Sequence, residues 1–299
     1  MKKSVSLLLA ALMLTGALAG CGSSASASDT HAADGADSGV SGAITVISRE
    51  DGSGTRGAFI ELTGVEEKTA DGKKVDNTTA DAEIANKTDV VLTSVAGNEK
   101  AIGYISLGAL NDTVKAVKVD GAEATVDNVK AGAYKLSRPF NIATKGEPTG
   151  VAKDFINFIL SKEGQAVVTD NKYIAVNDAA ESFVSDGSSG QIAVGGSSSV
   201  SPVMEKLIEA YKSVNPNASI DLQTSDSTSG MTGAMDGTFA IGMASRELKD
   251  EEAAQLTGTA IALDGIAVIV NPANTIDELS MDQIKSIYVG DITDWGDLA

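Results

Sequence analysis

Short β-branched runs alternate along the chain with stretches whose apolar residues recur every three or four positions, the pattern of strands feeding helices. Ile44-Thr45-Val46-Ile47 reads as a buried strand, and a polar turn separates it from a helix opening at residues 58–62. Ile192-Ala193-Val194 leads through Gly195-Gly196-Ser197-Ser198-Ser199-Val200-Ser201 into a helix with Val203, Met204, Leu207, Ile208 and Tyr211 on one face. Ser201 suits the N-cap of that helix and Pro202 its first position. Ile220-Asp221-Leu222-Gln223 then passes through Thr224-Ser225-Asp226-Ser227-Thr228-Ser229-Gly230 to a small-residue helix near residues 231–235. Residues 89–94 and 101–106 read as strands. So does 260–271, where the unbroken Ile266-Ala267-Val268-Ile269-Val270 implies cover on both faces. Residues 151–160 and 280–288 read as helices, with Phe155, Ile156, Ile159, Met281, Ile284 and Ile287 inward. The alternation predicts an α/β fold with parallel-type sheets.

Three strand–turn–helix units therefore carry hydroxyl- or glycine-dense turns. Each presents free backbone N–H groups at a helix start together with hydroxyl donors, which suits an anion. An isolated Ser/Gly turn is an ordinary connection, but three in one chain point to a site. None has the Gly-Lys-Ser/Thr of a nucleotide P-loop or the GxGxxG spacing of a dinucleotide fold.

The first 20 residues change the picture of where the chain works. Met1-Lys2-Lys3 precedes an apolar run that ends in Leu18-Ala19-Gly20-Cys21, the layout of a secretory signal peptide over residues 1–20. Leu-Ala-Gly-Cys also resembles the bacterial lipobox, so Cys21, the only cysteine, is the expected lipidation site. Residues 21–42, rich in Ser, Ala, Gly and Asp, read as a flexible lipid-anchored linker. Cleavage before Cys21 leaves 21 basic against 41 acidic residues, a net charge of -20. That balance argues against nucleic acid as a partner. One cysteine permits no intrachain disulfide or cysteine-based zinc site. The single histidine, His31, lies in the linker, which argues against a histidine-dependent triad or metal centre; no metal or cofactor is expected.

Several segments together resemble the phosphate-binding proteins (PstS type) of phosphate ABC importers. They are Ser48-Arg49-Glu50-Asp51-Gly52-Ser53-Gly54-Thr55-Arg56-Gly57, Gly196-Ser197-Ser198-Ser199-Val200-Ser201-Pro202, Ile241-Gly242-Met243-Ala244-Ser245-Arg246, Leu263-Asp264-Gly265 and Ile287-Tyr288-Val289-Gly290 with Trp295. Ala101-Ile102-Gly103-Tyr104-Ile105 and Arg138-Pro139-Phe140-Asn141 match later family segments. Their order is rotated relative to the family, as in a circular permutation with the old ends joined around residues 174–191 and new ends cut after Trp295. The resemblance implies a two-lobed, type II periplasmic-binding-protein-like fold with a ligand cleft and two crossing strands. One lobe is expected at 138–271 and the other at 43–137 plus 272–299, with crossings near 138–140 and 271–272.

The same resemblance implies an extracytoplasmic, membrane-anchored lipoprotein, monomeric and not an enzyme, that hands inorganic phosphate to the permease subunits of an ABC importer. Arg49 should pair with the ligand, and Ser53, Gly54 and Thr55 should donate from one lobe. Ser198, Ser199 and Ser227 should donate from the other. Micromolar affinity corresponds to about 8 kcal/mol, so many such bonds must converge. Discrimination against sulfate asks for an acceptor of the phosphate proton. Ser245 stands where the best-known family pattern has Asp, so Asp264 is the replacement candidate, with Asp226 a further option and Asp51 expected beside Arg49. Arg246 either reaches the ligand or pairs with an acidic neighbour. The alternatives are a binder of another tetrahedral oxyanion (sulfate, molybdate) and a phosphate sensor or adhesion lipoprotein without transport.

Overall fold

One long strand passing through two cores, and a second paired with it that starts where the cores meet, organise the structure. The computed structural model describes residues 40–298. Its elements in chain order are β1 (Thr45–Arg49), α1 (Gly54–Thr63), β2 (Glu66–Lys68), β3 (Lys74–Asp76), β4 (Glu83–Ala85), α2 (Thr88–Ala96), β5 (Ala101–Ser106), β6 (Lys115–Ala116), β7 (Lys118–Val119), α3 (Val126–Lys130), β8 (Ser137–Thr144), α4 (Gly150–Leu160) and α5 (Lys162–Asp170). After them come β9 (Gly190–Ser197), α6 (Ser201–Val214), β10 (Ala218–Ser225), α7 (Ser227–Asp236), β11 (Ile241–Ala244), α8 (Asp250–Ala253), β12 (Thr257–Val270), β13 (Glu278–Leu279) and α9 (Met281–Val289). The signal segment, Cys21 and His31 lie outside the described residues. Among the described residues no helix is long and apolar enough to cross a membrane.

The main sheet has the order β10-β9-β11-β8-β12-β5-β1-β4, with β6 beside β12. Strands β9, β10 and β11 run parallel to one another, as do β1, β4 and β5. Because β8 and β12 run antiparallel to their neighbours, the sheet is mixed rather than purely parallel. Residues 257–265 of β12 pair with β8 and residues 266–270 with β5. Burial follows that division. Ala262 and Phe140 pack in one core with Phe155, Leu207 and Tyr211, while Ile266 and Leu136 pack in the other with Phe59, Tyr104 and Tyr288. On β12 the change of core thus falls at 263–265 and not near 271–272 as expected. The cause is length: 14 residues at about 3.3 Å each reach about 45 Å, enough for one strand to serve both cores.

The core containing Phe59 is called the first half below, the other the second. In the first half Phe59 stacks on Tyr104 at 3.9 Å and meets Tyr288 edge-on at 4.7 Å, which fixes α1 and α9 to β5. The start and end of the described chain also meet there. Ile44 N donates to Thr293 O at 2.8 Å, Trp295 N to Gly42 O at 3.1 Å, and Gly42 N to Asp294 Oδ1 at 2.9 Å.

In the second half, Gly196 has φ +134°, and an added Cβ would lie 2.9 Å from Gly230 Cα and strike the Met243 carbonyl. Only glycine permits that approach, and it brings α7 against the end of β9. Residues 175–189 form no helix or strand. The buried carboxylate of Asp154 holds their far end. It accepts from Ser185 Oγ at 2.7 Å, Asp186 N at 3.0 Å, Tyr211 OH at 2.7 Å and Asn215 Nδ2 at 3.1 Å. Burial pushes the Asp154 carboxyl up, but these four bonds outweigh it and hold the group below its ordinary value near 3.8. Asp154→Asn turns one acceptor into a donor facing donors and is expected to cost about 3 kcal/mol, lowering Tm by about 10 °C. A depressed carboxyl stabilises above its unfolded pKa, so the gap between the two proteins should shrink as pH falls below about 3.8. Melts of both proteins across that range check this; a gap independent of pH would refute it.

Candidate functional site

Four helices begin at one place between the two halves. Strand β1 ends at Arg49, and the turn after it closes with Ser53, whose Oγ accepts from Arg56 N at 3.3 Å and caps α1. Strand β9 delivers Ser198, Ser199 and Val200 to the start of α6, where Val200 holds the cap position expected of Ser201. The Ser201 hydroxyl instead donates to the Ser197 carbonyl at 3.2 Å. Strand β10 runs into Asp226, which caps α7 by accepting from Ser229 N at 2.8 Å. The fourth start, Thr88 of α2, was missed because residues 89–94 were expected to be a strand. Their β-branched composition misleads; the buried positions Thr88, Val91, Leu92 and Val95 follow helical spacing.

Seven hydroxyls from these starts and from β11's end interlock, all buried: Thr55, Thr88, Ser197, Ser198, Ser199, Ser227 and Ser245. Thr55 Oγ1 lies 2.8 Å from Ser199 Oγ and 3.2 Å from Ser245 Oγ. Thr88 Oγ1 lies 3.4 Å from Ser198 Oγ and 3.3 Å from Ser199 Oγ. Ser245 N donates to Ser227 Oγ at 3.1 Å, and Ser197 Oγ to Ser245 Oγ at 3.0 Å. Thr55 and Thr88 belong to the first half and the five serines to the second, so most of these contacts cross between halves. Gly54 stands at a tight crossing: a Cβ there would lie 2.9 Å from Ser245 Oγ and 3.0 Å from Arg246 Cγ, and closer still to Ser227 Oγ.

Two buried guanidiniums edge the hydroxyls. Arg49 donates from Nη2 to Ser198 Oγ at 3.1 Å and from Nη1 to Thr88 Oγ1 at 3.5 Å. Its expected partner Asp51 is not the one it takes. Glu50 accepts from Arg49 Nε and Nη2, both at 2.8 Å, while the 96 % exposed Asp51 pairs with Arg56 at 3.0 Å. The Tyr104 hydroxyl accepts from Arg49 N at 3.1 Å and lies 2.9 Å from Ser48 Oγ. Burial holds that phenol above its ordinary pKa, so its proton is retained. The second guanidinium, Arg138, was read only as part of a family segment. It donates from Nη2 to Thr55 Oγ1 at 3.1 Å and from Nε to the Ser245 carbonyl at 3.3 Å.

Asp264 and Arg246 sit at the edge of this cluster and face away from the hydroxyls. Asp264 pairs with Arg138 and accepts from Gly108 N at 3.3 Å, and none of its hydrogen bonds reaches the hydroxyls. Burial pushes its carboxyl up and the Arg138 guanidinium down, and the charge of each opposes the other's shift. A guanidinium does not lose its proton in proteins, so the pair is ionic. Of the two readings for Arg246, the structure has the pairing one: Glu252 accepts from both Nη atoms at 2.7 and 2.8 Å. Burial pushes the Glu252 carboxyl up, but the Arg246 bonds outweigh it and hold the group low. Asp226 caps α7 and lies against Gly52.

Helix starts and hydroxyls, rather than net side-chain charge, make this point receptive to an anion. Arg49 and Arg138 are each offset by a carboxylate, Glu50 and Asp264. Each helix N-terminus contributes about half a positive charge; Asp226 at the cap of α7 and Asp89 in the first turn of α2 offset two of the four. Hydroxyls add donors without charge, and they accept as well as donate.

A family model for the PBP superfamily domain matches residues 25–163 and 182–299. The chain is 50 % identical over 300 residues to "Phosphate-binding protein PstS 2" of Streptococcus agalactiae serotype V, covering 99 % of this chain and 98 % of that one. A crystal structure described as a phosphate-binding protein of a phosphate ABC transporter, from Streptococcus pneumoniae TIGR4, superposes with a TM-score of 0.69 at 50 % identity, over 86 % of this chain and 100 % of that chain. "Phosphate-binding protein PstS" of Bacillus subtilis is 34 % identical over only 137 residues, 45 % of this chain and 42 % of its own length. The mixed α/β architecture is the type II periplasmic-binding-protein fold of these relatives. The chain belongs to the PBP superfamily and, within it, to the family of PstS phosphate-binding proteins.

Proposed function

We propose that this protein captures inorganic phosphate outside the cytoplasm for an ABC importer and is not an enzyme. The convergence of four helix starts, seven hydroxyls and two guanidiniums on one point between the halves carries that reading. Arg49, Gly54, Thr55, Ser198, Ser199, Ser227 and Ser245 bind the anion, joined by Thr88 and Ser197. Ser53 acts as a cap that presents the Gly54 and Thr55 amides. Arg246 braces the loop after β11 through Glu252. Catalysis by a serine would need a base to take its proton; Glu50 and Asp264 are engaged by guanidiniums, and Asp226 by Ser229 at the cap of α7.

The delivery partner is the permease pair of the importer, and Cys21 carries the lipid that keeps the protein, a monomer, at the membrane surface. The segment order is shared with the Streptococcus agalactiae relative, which aligns end to end, and is rotated relative to family members such as the Bacillus protein that match only in part. The meeting of residues 42–44 with 293–295 supports that reading, as do the irregular connection over 175–189 and the partial match to the Bacillus protein. Calorimetry on protein lacking residues 1–21 tests the function. Phosphate should bind with micromolar or better affinity, and sulfate at least 100-fold more weakly, a gap of about 2.7 kcal/mol. Sulfate or molybdate binding with phosphate ignored would replace the reading with its oxyanion alternative.

A further inference from the structure

Arg138 and Asp264 stand opposite each other in the β8–β12 ladder, where β12 changes core and β8 begins. Both are buried, at 4 % and 1 % exposure. Each carboxylate oxygen has a partner: Oδ2 accepts from Arg138 Nη1 and Oδ1 from Gly108 N. The guanidinium is not fully used. Of its five N–H groups, Nε gives to Ser245 O, Nη1 to Asp264 and to Gly265 O at 2.8 Å, and Nη2 to Thr55 Oγ1. One Nη2 N–H has no acceptor among the described residues, and it sits on the edge of the guanidinium that faces Thr55.

We propose that Arg138 is a second anion-binding guanidinium of the site and that Asp264 acts only through it, as the counter-ion that positions it. This rests on the phosphate-binding reading above. The direction of the hydrogen bonds supports it. Thr55 Oγ1 accepts from Arg138, which takes one of its two lone pairs and leaves its single proton to go to Ser199 or to Ser245, in the cluster. Arg138 therefore brings one direct N–H and biases the Thr55 hydroxyl toward donation. The pair's burial points the same way. A buried ion pair is a poor source of stability, since an apolar pair of the same volume serves as well or better. An arginine held here with an unused N–H beside the hydroxyls gives the desolvated charge a task. Asp264 lies behind Arg138 as seen from Thr55, which removes it as acceptor of the ligand's proton; a hydroxyl oxygen takes that part.

Calorimetry on the full chain tests this with wild type, Arg138→Gln, Arg138→Lys, Asp264→Asn and the Arg138→Gln/Asp264→Asn double variant, using phosphate and sulfate as titrants. Arg138→Gln should weaken phosphate about 100-fold, and Arg138→Lys, which keeps the charge without the fork, should recover part of that loss. Asp264→Asn should weaken phosphate about 10-fold in the wild-type background, leave the phosphate-to-sulfate ratio unchanged, and add nothing once Arg138 is gone. A purely structural role would make the two losses multiply. Wild-type affinity in a folded Arg138→Gln overturns the proposal; should that variant fail to fold, wild-type affinity in Arg138→Lys overturns it instead. An Asp264→Asn protein that keeps phosphate and gains sulfate returns Asp264 to the acceptor role. Absence of phosphate binding in the wild type would be a failure of the functional reading itself, and it is read from a separate arm.

Discussion

Arg49→Gln is expected to weaken phosphate binding by at least 100-fold while leaving the fold intact. The side chain is 2 % exposed and touches both halves, Thr88 on its own side and Ser198 across the gap. Its backbone is held independently, by the Tyr104 hydroxyl at its N–H and by Arg56 Nη1 at 2.7 Å from its carbonyl. The substitution therefore removes a head group without loosening its support. Loss of one member of a buried, hydrogen-bonded charge contact costs about 3 kcal/mol, or two decades in affinity. Arg49→Lys should fall between, because an ammonium cannot make the forked contact with Glu50 while also reaching Ser198 and Thr88. Titration calorimetry beside thermal melts gives the answer. Affinity within threefold of wild type would take Arg49 out of the site.

Gly54→Ala should give a protein that melts at or above the wild-type temperature and yet binds phosphate 10- to 100-fold more weakly. Gly54 is the first residue of α1 and its φ is not positive, so alanine fits the backbone there and restricts the unfolded chain, a gain of about 0.4–1 kcal/mol. The added methyl would nevertheless lie 2.9 Å from Ser245 Oγ and 3.0 Å from Arg246 Cγ, below the 3.4 Å of ordinary contact. These atoms belong to the opposite half, so the methyl acts as a wedge. Overpacking of this kind costs about 1–3 kcal/mol, and here the cost falls on closure instead of on either core. Stability and affinity would then move in opposite directions. A variant with wild-type affinity would show that the two halves do not need this approach to hold the anion.

Local chemistry made part of the site legible in the sequence. A Ser- or Gly-rich turn between a β-branched run and a helix needs no distant partner to be recognised, and the turns before α1, α6 and α7 were found that way. Thr88 was lost because Asp-Val-Val-Leu-Thr-Ser satisfies strand composition, and only its burial at helical spacing reveals α2. Arg138 was lost for a different reason. Its function depends on Asp264, 126 residues away and opposite it through strand register. Composition around Arg-Pro-Phe-Asn carries no sign of that. The partner of Arg49 was misassigned within a three-residue window: which of Glu50 and Asp51 turns inward is decided by the turn, where Glu50 N bonds the Ala85 carbonyl. The second crossing was misplaced because an unbroken apolar run looks alike in one core or in two.

The pairing of residues 42–44 with 293–295 places both ends of the described residues on the half that contains Trp295. A load applied at Val40 enters that half first, through its N–H on Thr275 Oγ1 at 3.0 Å and a short ladder backed by the Trp295 indole on the Lys100 carbonyl at 3.0 Å. The opposite half carries neither end of the described chain and behaves like the loose jaw of a vice whose other jaw is bolted to the bench.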